Sequence, residues 1–200
     1  MAKIVLCGPP HSGKSCLREG LKQAIKRICG APYPYVITAC PDGEGAWFSE
    51  AAQNDPELAQ QLKTDYKSKF TPEFAAVRAE WVAKATTQLT IVDVGGRMSD
   101  ENRMIMSHAT HAVILAGNWK DESWDARMGP WREFCAELGL VVVAEVFSDY
   151  FGSEDAVLGV SSDGVLRGSV HHLERGEDNS CRPLVKALAQ HLVSLATSEK

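Results

Sequence analysis

At 200 residues with 44% hydrophobic content, the chain carries enough apolar side chain for one substantial core and is too short for two comfortable ones, so a single domain over residues 1–200 is expected. The formal net charge of -5 argues against a broad nucleic-acid footprint, and no apolar run approaches the length of a membrane span. The six cysteines (Cys7, Cys16, Cys29, Cys40, Cys135 and Cys181) form no Cys-x-x-Cys pair, and no charged-then-apolar leader opens the chain; a cytoplasmic, reduced protein without membrane attachment is the expectation.

In chain order, the first element is a strand over residues 4–7, followed directly by Gly8-Pro9-Pro10-His11-Ser12-Gly13-Lys14-Ser15. This octet fits the G-x-x-x-x-G-K-[ST] phosphate loop. Four fixed positions match by accident in about 1% of chains of this size, and a strand before and a helix after lower that further. The chemistry needs these residue types because a triphosphate is wrapped only where successive backbone N–H groups turn to one point and no Cβ blocks the approach. Gly8 and Gly13 permit the turn, Lys14 bridges the outer phosphates, and the Ser15 hydroxyl ligates Mg2+ at the mouth of a helix whose dipole favours anions. Pro9, Pro10, His11, Ser12 and Cys16 complete the candidate nucleotide-binding segment, His11 as variable filler or as a further donor to a phosphate. The helix that follows carries Leu17, Leu21, Ala24, Ile25 and Ile28 at helical spacing and stops at Gly30.

A second strand over 35–39 empties into the loop-forming run 40–45. Residues 49–85 read as two or three helices, broken near Asn54-Asp55-Pro56 and at Thr71-Pro72, where Thr71 caps and Pro72 fits the first turn. A third strand, 89–94, is apolar except for Thr90 and Asp93 and ends in Asp93-Val94-Gly95-Gly96-Arg97, the pattern of a buried parallel strand opening into a ligand crevice. Asp93 is placed to hold Mg2+ through water opposite Ser15; its bland alternative is a loop aspartate capping the next helix. A short helix over 100–108, a strand over 111–116, a helix over 125–138 with a candidate break at Gly129-Pro130, and a strand over 140–147 follow. Two short strands, 157–160 and 165–170, flank an Asp163-Gly164 turn as a hairpin on the far edge, and a helix over 181–197 closes the chain. Strands alternating with helices predict an α/β, three-layer P-loop NTPase fold: a mostly parallel central sheet, a helical insertion between strands 2 and 3, and a C-terminal hairpin.

Guanine specificity is disfavoured. Asp93-Val94-Gly95-Gly96 satisfies D-x-x-G, but Asn118-Trp119-Lys120-Asp121 departs from N-K-x-D by one position and follows the first strand after Asp93, one strand earlier than in proteins resembling small GTPases. ATP is therefore the expected nucleotide. His171, His172 and His191 lack the spacing of zinc modules, so Mg2+ is the only metal expected. The aromatics Trp47, Phe48, Trp119, Trp124 and Trp131 stand near the crevice loops, where they serve either base stacking or packing.

The layout resembles that of nucleotide kinases: an insertion before strand three, an Asp-x-Gly-Gly-Arg turn, then arginines after strand four. That likeness implies that Arg97 grips an acceptor phosphate or acid, that Arg127 and Arg132 form a lid neutralising the transferring phosphoryl group, and that Asp42 or Glu44 orients an acceptor hydroxyl. Taken as residues alone, arginines on helices are more often solvated or salt-bridged than catalytic, and Asp42 and Glu44 have the simpler reading of shaping a turn. More narrowly, residues 91–97 and 99–103, 110–115 and 131–140 resemble the P-loop ATPase or kinase-like domain found beside, or fused to, the ring nuclease of type III CRISPR systems. The resemblance runs from the phosphate loop to Tyr150 and implies an antiviral-signalling context, with a nuclease partner or a homo-oligomer. The leading expectation is a kinase-like enzyme that transfers the γ-phosphoryl group of ATP to a nucleotide or RNA acceptor; the rival is an ATP-controlled interaction module in which nucleotide orders the segment 95–103.

Overall fold

The structure is a computed structural model that describes residues 1–41, 70–118, 122–174 and 176–198. Its strands are β1 (Ala2–Cys7), β2 (Pro34–Ala39), β3 (Leu89–Val94), β4 (His111–Ala116), β5 (Val141–Asp149), β6 (Ala156–Val160) and β7 (Leu166–His171). The helices are α1 (Lys14–Lys26), α2 (Pro72–Lys84), α3 (Asp100–Met106), α4 (Trp124–Glu137) and α5 (Pro183–Ser198), with a 3-10 turn at Asn179–Cys181 before the last.

The strands form one 7-stranded sheet in the order β2-β3-β1-β4-β5-β7-β6. Every pairing is parallel except the edge pair β6 with β7. Alternation along β1 sorts the core into two layers. Ile4 and Leu6 face Leu17, Leu21 and Ile25 of α1 together with Leu184, Leu188 and Leu192 of α5. Val5 and Cys7 face the opposite layer, where Ala75, Ala79 and Val82 of α2, Ile105 and Met106 of α3, and Met128, Trp131 and Phe134 of α4 gather. Both faces of the sheet are thus covered, which is why β3 is buried along its whole length and reads as a near-continuous apolar run. This is the expected three-layer α/β architecture with its mostly parallel sheet.

The chain reverses its direction of travel across the sheet at β1, which pairs with β3 on one side and β4 on the other. Carboxyl ends of parallel strands at such a reversal leave a crevice, and the loop after β1 opens into it.

Several local expectations meet the geometry. Thr71 caps α2, its hydroxyl accepting from the Phe74 N–H at 3.3 Å, and Pro72 occupies the first turn. Of the helical insertion expected over 49–85, only α2 falls within the described residues. The break expected at Gly129-Pro130 does not occur: α4 runs through it. Pro130 costs that helix one backbone bond; the Ser123 cap, whose hydroxyl accepts from the Ala126 N–H at 3.3 Å, and the buried Met128, Trp131, Phe134 and Cys135 outweigh the loss. The hairpin stands on the far edge, but its second strand is the inner one: β7 pairs in parallel with β5 and leaves β6 outermost.

Candidate nucleotide site

The loop between β1 and α1 is shaped by three residues at positive φ: Gly8 at 134°, His11 at 61° and Gly13 at 83°. A Cβ on Gly8 would stand 1.9 Å from the Leu115 carbonyl oxygen of β4, so only glycine lets the loop leave β1 this close to its neighbour. Gly13 is the N-cap of α1. It brings no side chain to occupy the first-turn amides, and that turn contains no acidic residue, so the positive end of the helix dipole is left for an anion.

Lys14 is 8% exposed, and its ammonium donates to the carbonyls of Gly8 at 2.9 Å and Pro9 at 2.8 Å and to the Ser12 hydroxyl at 3.4 Å. A cation held over its own loop by carbonyl dipoles is desolvated in advance and aimed where phosphate oxygens would displace those dipoles. Ser12 is buried, while Ser15 and Cys16 are half-buried at the mouth of α1. The residues present therefore suit a phosphate chain: a cradle that a Cβ would fill, a fixed cation, and the amides of a helix terminus.

Asp93 stands at the end of β3, in register with Leu6 of β1 and Thr38 of β2, and is 2% exposed. Its Oδ2 lies 3.3 Å from Nη1 of Arg18, which also donates to the Thr38 hydroxyl at 3.2 Å. Arg18, one turn into α1, is a member of the crevice that the sequence reading passed over. The signal for it was its spacing from Lys14 and Ser15 along one helix, but its partner across the sheet depends on strand order.

Beyond Asp93 the turn Gly95-Gly96-Arg97 leans on the phosphate loop. A Cβ on Gly96 would lie 2.6 Å from the Pro10 nitrogen. The turn is held from behind by Asn102 of α3, fully buried, whose Nδ2 donates to the carbonyls of Gly95 at 3.0 Å and Arg97 at 2.7 Å. Its Oδ1 is buried without a donor among the described residues, an omission that costs about 1–3 kcal/mol in a folded protein. The Arg97 side chain is exposed, with no hydrogen-bond or ionic partner among the described residues.

The two arginines of α4 part company. Arg127 reaches the phosphate loop: its guanidinium donates to the Pro10 carbonyl at 3.2 Å and the Gly117 carbonyl at 2.5 Å, with Glu122 at 3.7 Å. Burial lowers its pKa below the ordinary arginine value, against the opposing pull of Glu122. It ties the loop to the end of β4. Arg132 instead makes a two-pronged pair with Glu145 of β5, at 2.7 and 3.1 Å, and Arg167 of β7 shares that carboxylate at 3.1 Å. Hydrogen bonding to Glu145 raises the Arg132 pKa.

Other sequence candidates have structural employment. Asn118 accepts the Trp124 N–H at 2.7 Å and so helps to start α4. Trp131 is 2% exposed in the core, edge-on to Phe134, and Trp124 lies edge-on to Phe147. His191 contacts the Val143 carbonyl at 3.1 Å, and His171 binds Asp155 at 2.7 Å. No cluster of three metal-ligating side chains occurs among the described residues. Asp42, Glu44, Trp47, Phe48, Trp119, Lys120 and Asp121 lie outside the described residues.

No protein-family model matches the sequence, and no curated protein matches it. Solved structures do match. The septum site-determining protein MinD from Pyrococcus horikoshii OT3, complexed with Mg-ADP, superposes with a TM-score of 0.60 at 11% identity over 100% of this chain and 99% of that one. A plasmid partition protein from Borrelia burgdorferi B31 bound to AMPPNP gives 0.59 at 9% identity with the same coverage. A ParA family ATPase from Chlorobium tepidum TLS gives 0.51 at 15% identity, again with 100% of this chain and 99% of that one covered. Identities this low speak to architecture, and the architecture is that of the P-loop ATPases of the MinD and ParA kind.

Proposed function

We propose that the chain is a Mg2+-dependent, ATP-binding P-loop ATPase whose nucleotide state is read by the segment 95–103 and passed to a partner. The observation that carries this reading is the cradle after β1, where Gly8 and Gly13 adopt positive φ and the Lys14 ammonium is folded over the Gly8 and Pro9 carbonyls. The residues from Gly8 to Cys16 hold the triphosphate, with Lys14 on its outer oxygens and the α1 amides around it. Ser15 and Asp93 are the groups that would hold Mg2+, Ser15 through its hydroxyl and Asp93 through water; the ion supplies charge neutralisation to the outer phosphates. The adenine nucleotides held by the MinD and partition-protein structures favour ATP over GTP.

The readout follows from contact. Gly96 abuts Pro10, so a filled loop presses on the turn that leads into α3. Arg127 already holds the Pro10 carbonyl and is, beside Lys14, a second cation at the loop for charge developing on the outer phosphate. The sequence resemblance supplies one partner to test, a ring nuclease.

A second reading, phosphoryl transfer to a nucleotide or nucleic-acid end, is favoured by one observation: the exposed Arg97 guanidinium, with no partner among the described residues, is available to an acceptor anion. One experiment separates the two. With γ-labelled ATP and a panel of nucleotides and short RNA ends, a switch ATPase releases label only as inorganic phosphate, whereas a kinase leaves it on an acceptor. Calorimetry with ATP, ADP and GTP in magnesium buffer tests the shared premise, and absence of heat with all three sinks it.

A further inference from the structure

Trp124 and Trp131, candidates for base stacking in the sequence, pack instead against Phe147 and Phe134. A different set of rings stands in the open at the carboxyl edge of the sheet. Tyr150 and Phe151 follow β5 directly and are 57% and 91% exposed. Their rings meet at 88° with centroids 5.4 Å apart, and the ring of His172, the residue after β7, lies 5.1 Å from that of Tyr150. Exposed rings gathered in this way mark a surface that something covers. They are also held in place. The Asp149 carboxylate accepts the Phe151 N–H at 3.1 Å, its main-chain carbonyl accepts the His172 N–H at 3.3 Å, and the Tyr150 hydroxyl donates to Glu174 at 3.4 Å. His172 stands at a φ of 39°, a conformation that a side chain rarely adopts. Arg182 keeps it there, donating to the His172 carbonyl at 3.1 Å while anchored on the Asp155 carboxylate at 2.7 Å.

We infer that Tyr150 and Phe151, braced by His172, form the platform on which the base of the nucleotide stacks. Strands β1, β4, β5 and β7 run parallel, so the ends of β5 and β7 open on the edge where the phosphate loop leaves β1. Leu173, next in sequence to His172, lies against that loop: a Cβ on Gly13 would stand 2.9 Å from its Cδ1. The surface is therefore continuous from the N-cap of α1, through Leu173, to the rings. Two rings at right angles suit a flat aromatic guest, which stacks on the face of one and meets the edge of the other. Every nucleobase has such a face, so the platform supplies affinity for the base and none for the phosphates. The inference rests on the ATP-binding reading above and adds to it the side chains for the part of the nucleotide that the phosphate loop does not hold.

The test separates base from phosphate. Calorimetry in magnesium buffer compares ATP with inorganic tripolyphosphate, which fills the cradle and has no base. The wild-type chain is expected to bind ATP at least about tenfold more tightly than tripolyphosphate, and equal affinities overturn the platform. Phe151→Ala and Tyr150→Ala are each expected to weaken ATP about five- to thirtyfold and to leave tripolyphosphate within about twofold of wild type. Both ligands weakening together means that the rings only support the loop; ATP affinity unmoved in both variants means that they serve a protein partner. Either result overturns the proposal. Should a variant fail to fold, the wild-type comparison decides. No heat from ATP with the wild-type chain overturns the ATP-binding reading itself, whereas ATP binding without these differences overturns the platform alone.

Discussion

At the scale of single residues the phosphate loop is a place where backbone angle and charge do different jobs, and substitutions separate them. Lys14→Ala removes charge-assisted hydrogen bonds and leaves the turn, so ATP affinity is expected to fall about 30- to 100-fold, read by calorimetry, while the melting temperature moves by only a few degrees. Gly8→Ala places a methyl group 1.9 Å from the Leu115 carbonyl oxygen, which forces the loop off β4. Nucleotide binding is expected to be lost together with at least about 2 kcal/mol of stability in urea unfolding. Gly30→Ala is the control. It shares a positive φ, 75°, but a Cβ there meets only open space, so it is expected to cost about 1 kcal/mol and leave nucleotide affinity unchanged. The loop was legible in the sequence because its demands are local: two glycines, a lysine and a serine at fixed spacing specify their own surroundings. Arg18 and Asn102 were not, since the worth of each depends on which strand end or turn the fold brings opposite it.

Elements are joined by ion pairs as much as by apolar faces. Glu145 of β5 is 5% exposed and accepts from Arg132 of α4 and Arg167 of β7, so one carboxylate staples a helix and two strands. Burial pushes its pKa up, yet the two arginines outweigh burial and hold it below the ordinary glutamate value. A depressed folded-state pKa means that the stabilisation is complete above the ordinary carboxylate range and is lost as pH falls through the lowered value. The wild-type urea midpoint should therefore be flat above about pH 5 and decline below about pH 4, and Glu145→Gln should lose about 1–3 kcal/mol at neutral pH and show a shallower acid decline. The loss is modest because the arginine side chains are 39% and 33% exposed, so solvent screens the pairs. This staple also accounts for Arg132: an arginine two turns into a helix near a crevice reads as a catalytic lid or as a brace, and only the packing of that helix over β4 and β5 puts Glu145 within its reach. Arg127, five residues earlier on the same helix, meets the phosphate loop instead.

For the molecule as a whole, binding at the loop should be felt everywhere through linkage. A ligand that binds only the folded state, at 100 times its dissociation constant, adds about 2.7 kcal/mol. For a chain of 200 residues that is a rise in melting temperature of roughly 5–10 °C with Mg-ATP, and scanning calorimetry without and with saturating nucleotide checks it. Fold class was legible because the alternation of strands with helical periods leaves few architectures open. Strand order was less so. An Asp-Gly turn between two short runs announces a hairpin, but nothing local says that its second strand will slot in parallel beside β5 while its first is left outermost.

The partnership of α1 with α5 sets the order in which the molecule can mature. The apolar stripe of α1, Leu17, Leu21 and Ile25, is closed over by Leu184, Leu188 and Leu192 from the far end of the described chain. During synthesis the loop after β1 leaves the ribosome well before α5, yet the helix that anchors it keeps a bare greasy flank until α5 arrives. The cradle after β1 is thus completed only when α5 is in place, and nascent chains stalled short of α5 should gain no protease resistance from ATP where those that include it do.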